Sequence, residues 1–173
     1  MAFSIKNIRS VKKEKLNKFN SGNKELDHFL KNYALINETK NISKTFTIEE
    51  KEKIIGFYTL SAGGIFEDDL ETNDKYPKYQ LPVIRIARLA VDQKFQKKGI
   101  GKKILKYLFT QIIRTSRYIA ILGILVDSKK ESIGFYKKLG FKKLPLKDKS
   151  SSFQPMFINL DIVKKAIGYA KEN

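Results

Sequence analysis

The chain carries two hydrophobic periods, and their order predicts its elements. Thr45–Ile48 and Ile54–Ser61 are rich in β-branched and aromatic residues and flank a charged turn, which predicts a hairpin. Ile5–Ile8 predicts a short first strand, and Leu81–Val91, LPVIRIARLAV, a longer one. The apolar run RYIAILGILVD at 117–127 predicts a strand covered on both faces. FQPMFINLDI at 153–162 predicts the last strand. Helical spacing occurs at Leu26, Phe29, Leu30 and Tyr33, with Ser21 as the expected N-cap. It returns at Ile104, Leu105, Leu108, Phe109, Ile112 and Ile113, a stripe with a lysine-rich opposite face. KESIGFYKKLGF at 130–141 predicts a helix closed by Gly140, and Val163 onward a short C-terminal helix. Gly63–Gln80 is polar and predicts a long loop. The order is β-α-β-β, loop, β-α-β-α-β-α, an α/β chain with a mixed sheet, read as one domain over 1–173.

A hydrophobic share of 42% over 173 residues supports a packed core. With no cysteine and one histidine, His28, the sequence offers no disulfide, no thiolate metal site and no His-rich one. No apolar run reaches a membrane span, and the first residues lack a signal peptide's apolar stretch, so the expectation is a cytoplasmic protein without a membrane partner. The formal charge of +17 changes the picture more. Such a field attracts polyanions, although lysine-rich coding bias would also produce it. Lys103, Lys106, Arg114 and Arg117 on the outer helix, and Lys12, Lys13, Lys15 and Lys18 near the start, are cations a polyanion could meet.

The candidate chemistry centres on QKKGIG, Gln96–Gly101, between a strand and a helix. Amides at a helix start and the helix dipole favour an anion, and glycine lets the backbone come close. A Walker loop requires G-x-x-x-x-G-K-[ST], and a dinucleotide fingerprint G-x-G-x-x-G; neither spacing is met. The pattern Q/R-x-x-G-x-G/A is met at every position. With SIGFYKKLGF at 132–141 downstream, the chain resembles the GCN5-related N-acetyltransferase (GNAT) family, with Ser132 where alanine is common.

That resemblance implies a V-splayed mixed sheet flanked by helices, with acetyl-CoA as co-substrate and no metal. It places the pantetheine arm beside Leu89, Ala90 and Val91, where pairing with Ile119–Val126 is interrupted. A backbone N–H near Val91 would polarise the thioester. Gln96, Lys97, Lys98, Gly99, Ile100, Gly101 and Lys102 would wrap the pyrophosphate. Tyr136 would be the general acid for the departing thiolate, against a core role on an amphipathic helix. Arg85 and Arg88 would meet the acceptor substrate.

A finer resemblance rests on FNSGNKELDHFL at 19–30, GFYTLSAGG at 56–64 and RLAVD at 88–92. These look like the acetyltransferase toxins of bacterial toxin–antitoxin pairs, which acetylate the α-amine of aminoacyl-tRNA and block translation beside a ribbon-helix-helix antitoxin. Ser21 stands where that branch commonly has cysteine. The alternatives are a housekeeping enzyme acetylating a small amine or protein N-terminus, and a CoA-binding module without catalysis; a homodimer is also open. No general base is evident: His28 reads as a helix residue, and Glu67, Asp68, Asp69 and Glu71 as a solvated loop. Lack of a base suits an α-amine, with a pKa near about 7.7, better than a lysine near about 10.4.

Overall fold

The computed structural model describes residues 3–168. Seven strands among them form one mixed sheet in the order β1-β2-β3-β4-β5-β7-β6. The strands are β1 (Ser4–Asn7), β2 (Lys44–Glu50), β3 (Lys53–Ile65), β4 (Leu81–Val91), β5 (Gly123–Lys129), β6 (Lys142–Lys143) and β7 (Phe153–Asn159). The helices are α1 (Lys13–Lys18), α2 (Lys24–Asn32), α3 (Ala34–Thr39), α4 (Ile100–Thr115), α5 (Ile133–Lys138) and α6 (Leu160–Ala166). The chain packs as two compact units, residues 3–61 with 87–105 and residues 62–86 with 106–168.

In the first unit, β1 and β3 pair antiparallel with β2. The expected hairpin is present and closes on a two-residue turn, Lys51–Glu52, between the paired Glu50 and Lys53. The buried Thr45 and Thr59 hydroxyls bond at 2.9 Å, and Oε2 of the buried Glu49 takes Lys6 at 3.0 Å and Lys15 at 3.1 Å, while its Oε1 has no partner among the described residues. Ile8, Leu16, Phe19, Phe29, Leu30, Ile54 and Phe57 form the core; burying each such side chain contributes about 1.5–3 kcal/mol. α2 is capped by Asn23, whose side chain accepts from the Leu26 amide at 3.1 Å. The expected cap, Ser21, lies two residues further from the helix; its hydroxyl donates to Asp27 at 2.7 Å and accepts from the Asn23 amide at 3.2 Å. Gly56 of β3 is a close-approach position: a Cβ there would meet the Ala90 carbonyl at 2.9 Å and the Ile104 side chain at 3.1 Å.

In the second unit, β4 pairs in parallel with β5 from Val83↔Gly123 to Ile86↔Val126, and β5 pairs antiparallel with β7 along Gly123–Lys129. Ile65, Leu81, Val83, Leu125, Leu144 and Phe157 form its core. The expected strand at 117–127 is shorter at its start. Arg117–Leu122 leaves α4 through turns, with the Tyr118 amide bonding the Thr115 carbonyl at 3.0 Å. Tyr118 is 92% exposed and Ile119 60% exposed. Their apolar character imitates a strand, but the end of α4 claims their backbone. The loop after β3 starts later than expected, because β3 runs to Ile65; it holds one 3-10 turn, Glu67–Asp69. α1, α3 and the two-residue β6 are too short to show a period. α6 begins at Leu160, capped by Asn159, ahead of the expected Val163; the expected helix beyond residue 168 lies outside the described residues.

Candidate active site

The Gly-rich turn is built in the first unit by hydrogen bonds from a distant loop. Asp92, at the end of β4, is buried. Its carboxylate accepts from the Asn20 amide at 3.1 Å and the Lys94 amide at 3.0 Å. The Gln93 amide donates to the Asn20 carbonyl at 2.9 Å, and the Asp92 amide to the Ile55 carbonyl at 2.9 Å. Gln96 spends its side-chain N–H groups on the Ser21 carbonyl at 2.8 Å and the Val91 carbonyl at 2.9 Å. The segment Asn20–Asp27 is therefore a brace for 92–96. Phe19 packs edge-on to Phe57, and Phe29 lies 3.6 Å beneath the Arg88 guanidinium. No local period in the sequence signals this docking, because it joins residues more than seventy positions apart.

From this base the chain turns through Lys97 at φ 59° and Gly99 at φ 75°. Both are left-handed, and a Cβ at Gly99 would meet open space, so glycine serves conformation there rather than clearance. α4 then begins at Ile100, with Ile100, Ile104 and Leu105 buried. The amides of Ile100, Gly101 and Lys102 have no acceptor within the helix, and no acidic side chain occupies its first turn. Lys97 and Lys102 are exposed, whereas Lys98 folds back to donate to the Lys94 carbonyl at 2.7 Å. Such a start, with open amides and cations, fits a pyrophosphate. On β4, the pairing with β5 stops at Ile86↔Val126, and β5 continues as Asp127–Lys129 paired to β7. The interruption thus begins one residue before Arg88, and Ile119–Leu122 have no part in it.

The two arginines proposed for the acceptor are already engaged. Arg85 pairs with Asp127 at 3.1 Å. Arg88 is stacked on Phe29, and burial lowers its pKa, although a guanidinium stays charged regardless. Tyr136 lies on α5 in the second unit, buried and edge-on to Phe135 at 5.2 Å and Phe141 at 5.4 Å. Burial pushes its phenol pKa up. The hydroxyl therefore holds its proton through the neutral range, as a general acid must.

His28 is exposed on α2, with Nδ1 3.0 Å from the Asn32 amide nitrogen. The loop acids are largely used internally: Lys78 binds Glu67 at 2.7 Å and Asp68 at 3.2 Å, and Lys147 binds Asp69 at 3.1 Å. Among the described residues, no helix is long and apolar enough to cross a membrane.

Comparison with known proteins agrees with this geometry. Residues 41–143 match the acetyltransferase (GNAT) domain. The chain is 31% identical over 132 residues to a tRNA-acetylating toxin of Mycobacterium tuberculosis (strain ATCC 25618 / H37Rv), covering 73% of this chain and 78% of that protein. Its fold is similar to that of AtaT complexed with acetyl-methionyl-tRNAfMet, at a TM-score of 0.84 and 20% identity, covering 95% of this chain and 99% of the other. It is also similar to a mutant AtaT toxin bound to the C-terminus of the antitoxin AtaR and acetyl-CoA, at a TM-score of 0.76 and 19% identity, covering 97% and 99%. A family domain over the Gly-rich turn and the tyrosine helix, and a relative matched over most of both chains, establish that this protein belongs to the GNAT family and is an acetyl-CoA-dependent N-acetyltransferase.

Proposed function

We propose that this enzyme acetylates the α-amine of aminoacyl-tRNA and acts as a translation-blocking toxin held in check by an antitoxin. The observation that carries the reading is the likeness over 132 residues to a tRNA-acetylating toxin. The net charge of +17 supports it, since a polyanionic substrate is drawn to such a surface.

Acetyl-CoA supplies a thioester that acylates an amine. The amides of Ile100, Gly101 and Lys102, with the ammonium groups of Lys97 and Lys102, hold the pyrophosphate, and the Asp92–Gln96 brace keeps those amides in place. The β4 edge at Leu89–Val91 offers backbone groups to the pantetheine arm, and an N–H near Val91 polarises the carbonyl. As the new C–N bond forms and the C–S bond breaks, Tyr136 would give its phenolic proton to the sulfur, and the proton lost from the amine nitrogen would pass to solvent, from which the tyrosinate is reprotonated. The acceptor needs no strong base, because an α-amine with a pKa near about 7.7 is partly neutral at pH 7.

The test offers labelled acetyl-CoA to purified enzyme with bulk aminoacyl-tRNA, and separately with peptides and polyamines, over a salt series. Charged tRNA should be labelled, and the rate should fall steeply with salt because each neutralised phosphate releases counterions. Tyr136→Phe should lower turnover on the order of a hundredfold or more with acetyl-CoA affinity intact. Efficient labelling of peptides or polyamines, with charged tRNA untouched at every salt, would favour a housekeeping acetyltransferase.

A further inference from the structure

A second basic site lies in the first unit, beside the 92–98 segment. It is a groove of about 850 Å³ lined by Lys15, Lys18, Lys51, Lys53, Lys94 and Lys98, with Glu52 and Asp92 as its acidic side chains. Both acids are engaged within the protein, although the Glu52 side chain stays exposed. Asp92 is committed to the amides of Asn20 and Lys94. Glu52 is bound to Lys15 at 2.7 Å, which also reaches Glu49 at 3.1 Å. Lys18, Lys51, Lys53 and Lys94 have no acidic partner among the described residues. Four of its six lysines are therefore uncompensated, in a lining that also includes Phe19, Ile54 and Phe95.

The backbone supplies an independent observation. The turn that carries this rim holds Lys51 at φ 45° and Glu52 at φ 66°. Two consecutive left-handed positions favour Asn-Gly, and other residues there adopt a disfavoured conformation. The chain keeps a lysine and a glutamate at these positions. The glutamate's role is visible in its ion pair with Lys15. Lys51 is exposed and lines the groove. Strain retained at an exposed turn is the pattern of a functional position.

We propose that this groove binds the sugar–phosphate backbone of the acceptor tRNA. The inference rests on the tRNA reading above and adds the place where the nucleic acid is gripped. Lysines on flexible stems suit this occupant, since they neutralise phosphates without reading base edges. The groove shares Lys94 and Lys98 with the segment that leads into the Gly-rich turn. An RNA held there runs beside the cofactor's phosphate site without occupying it.

The test is a triple variant, Lys18→Gln, Lys51→Asn and Lys53→Gln, in the full chain. Asparagine tolerates the left-handed turn, so the fold is not put at risk. Binding of uncharged tRNA is measured by fluorescence anisotropy over a salt series, alongside acetyl-CoA binding by calorimetry. The expected result is tRNA affinity at least tenfold weaker at low salt. The slope of log affinity against log salt should be shallower by about 0.7–0.9 per lost contact, with acetyl-CoA affinity unchanged. An unchanged tRNA slope overturns the groove assignment, even where the wild type acetylates charged tRNA. A loss of acetyl-CoA affinity instead assigns the groove to the cofactor and overturns it as well. A slope that falls as expected, in an enzyme that leaves charged tRNA unacetylated, supports the groove while defeating the tRNA-acetylation reading. A wild type that binds an acidic peptide but no tRNA overturns both.

Discussion

Two turns in the same unit place a lysine in the left-handed region, and they do so for different ends. At 96–101, Lys97 sits at φ 59° ahead of Gly99. The turn is clamped by the Asp92 carboxylate and the Gln96 carboxamide and opens into the sixteen-residue helix α4. At 50–53, Lys51 sits at φ 45° beside Glu52, one ion pair to Lys15 holds the corner, and the chain re-enters the β2–β3 ladder. The first turn ends in backbone amides with fixed directions. The second returns the chain to the ladder at Lys53 and presents charge on flexible stems. Fixed amides select one small anion geometry, whereas mobile ammonium groups accept a polyanion in many registers. A positive surface therefore does not specify its ligand; what lies beneath the charge does.

The largest expected effect comes from removing the clamp. Asp92→Ala removes two hydrogen bonds to a buried carboxylate, from the amides of Asn20 and Lys94, and should cost about 2 kcal/mol. For a chain of this size that lowers Tm by about 4–8 °C, and acetyl-CoA affinity should fall with it. Calorimetric unfolding checks this; an unchanged Tm would make the first turn as self-supporting as the second and dissolve the contrast.

Next comes Gly101→Glu, which puts a carboxylate at the helix start. Acetyl-CoA should bind at least tenfold more weakly, about 1.4 kcal/mol, while the salt slope of tRNA binding stays as in the wild type. Titration calorimetry and anisotropy separate the two. Equal losses for both ligands would show that the two turns serve one site.

The smallest effect is the most diagnostic for the hairpin. Lys51→Gly relieves the left-handed strain and should stabilise the fold by about 0.5–1 kcal/mol, read from urea unfolding. The same variant should bind tRNA more weakly. A variant that is more stable and binds tRNA equally well would reduce Lys51 to an accident of the turn.

The features legible in the sequence were those carried by short-range pattern. QKKGIG and the FY pair at Phe135–Tyr136 mark the candidate chemistry through their resemblance to the family's motifs, each held in a short stretch of chain. The stripe from Ile104 to Ile113 predicts α4, since a buried helix face repeats about every 3.6 residues. Period alone misjudged Arg117–Leu122, where Tyr118 and Ile119 are exposed beyond α4, and it passed over the six-residue α1 and α3 and the two-residue β6.

By itself, then, the sequence determined the α/β order and the Gly-rich turn between β4 and α4. Only the tertiary structure decided that Gln96 grips Ser21, that Asp92 anchors Asn20, that Arg85 and Arg88 are taken by Asp127 and Phe29, and that the hairpin lysines share a groove with Lys94. The physical reason is the range of each interaction. Periodicity and capping act within a few residues, whereas a carboxylate finds its amide, and a lysine its neighbouring charges, only after the chain has brought distant segments together.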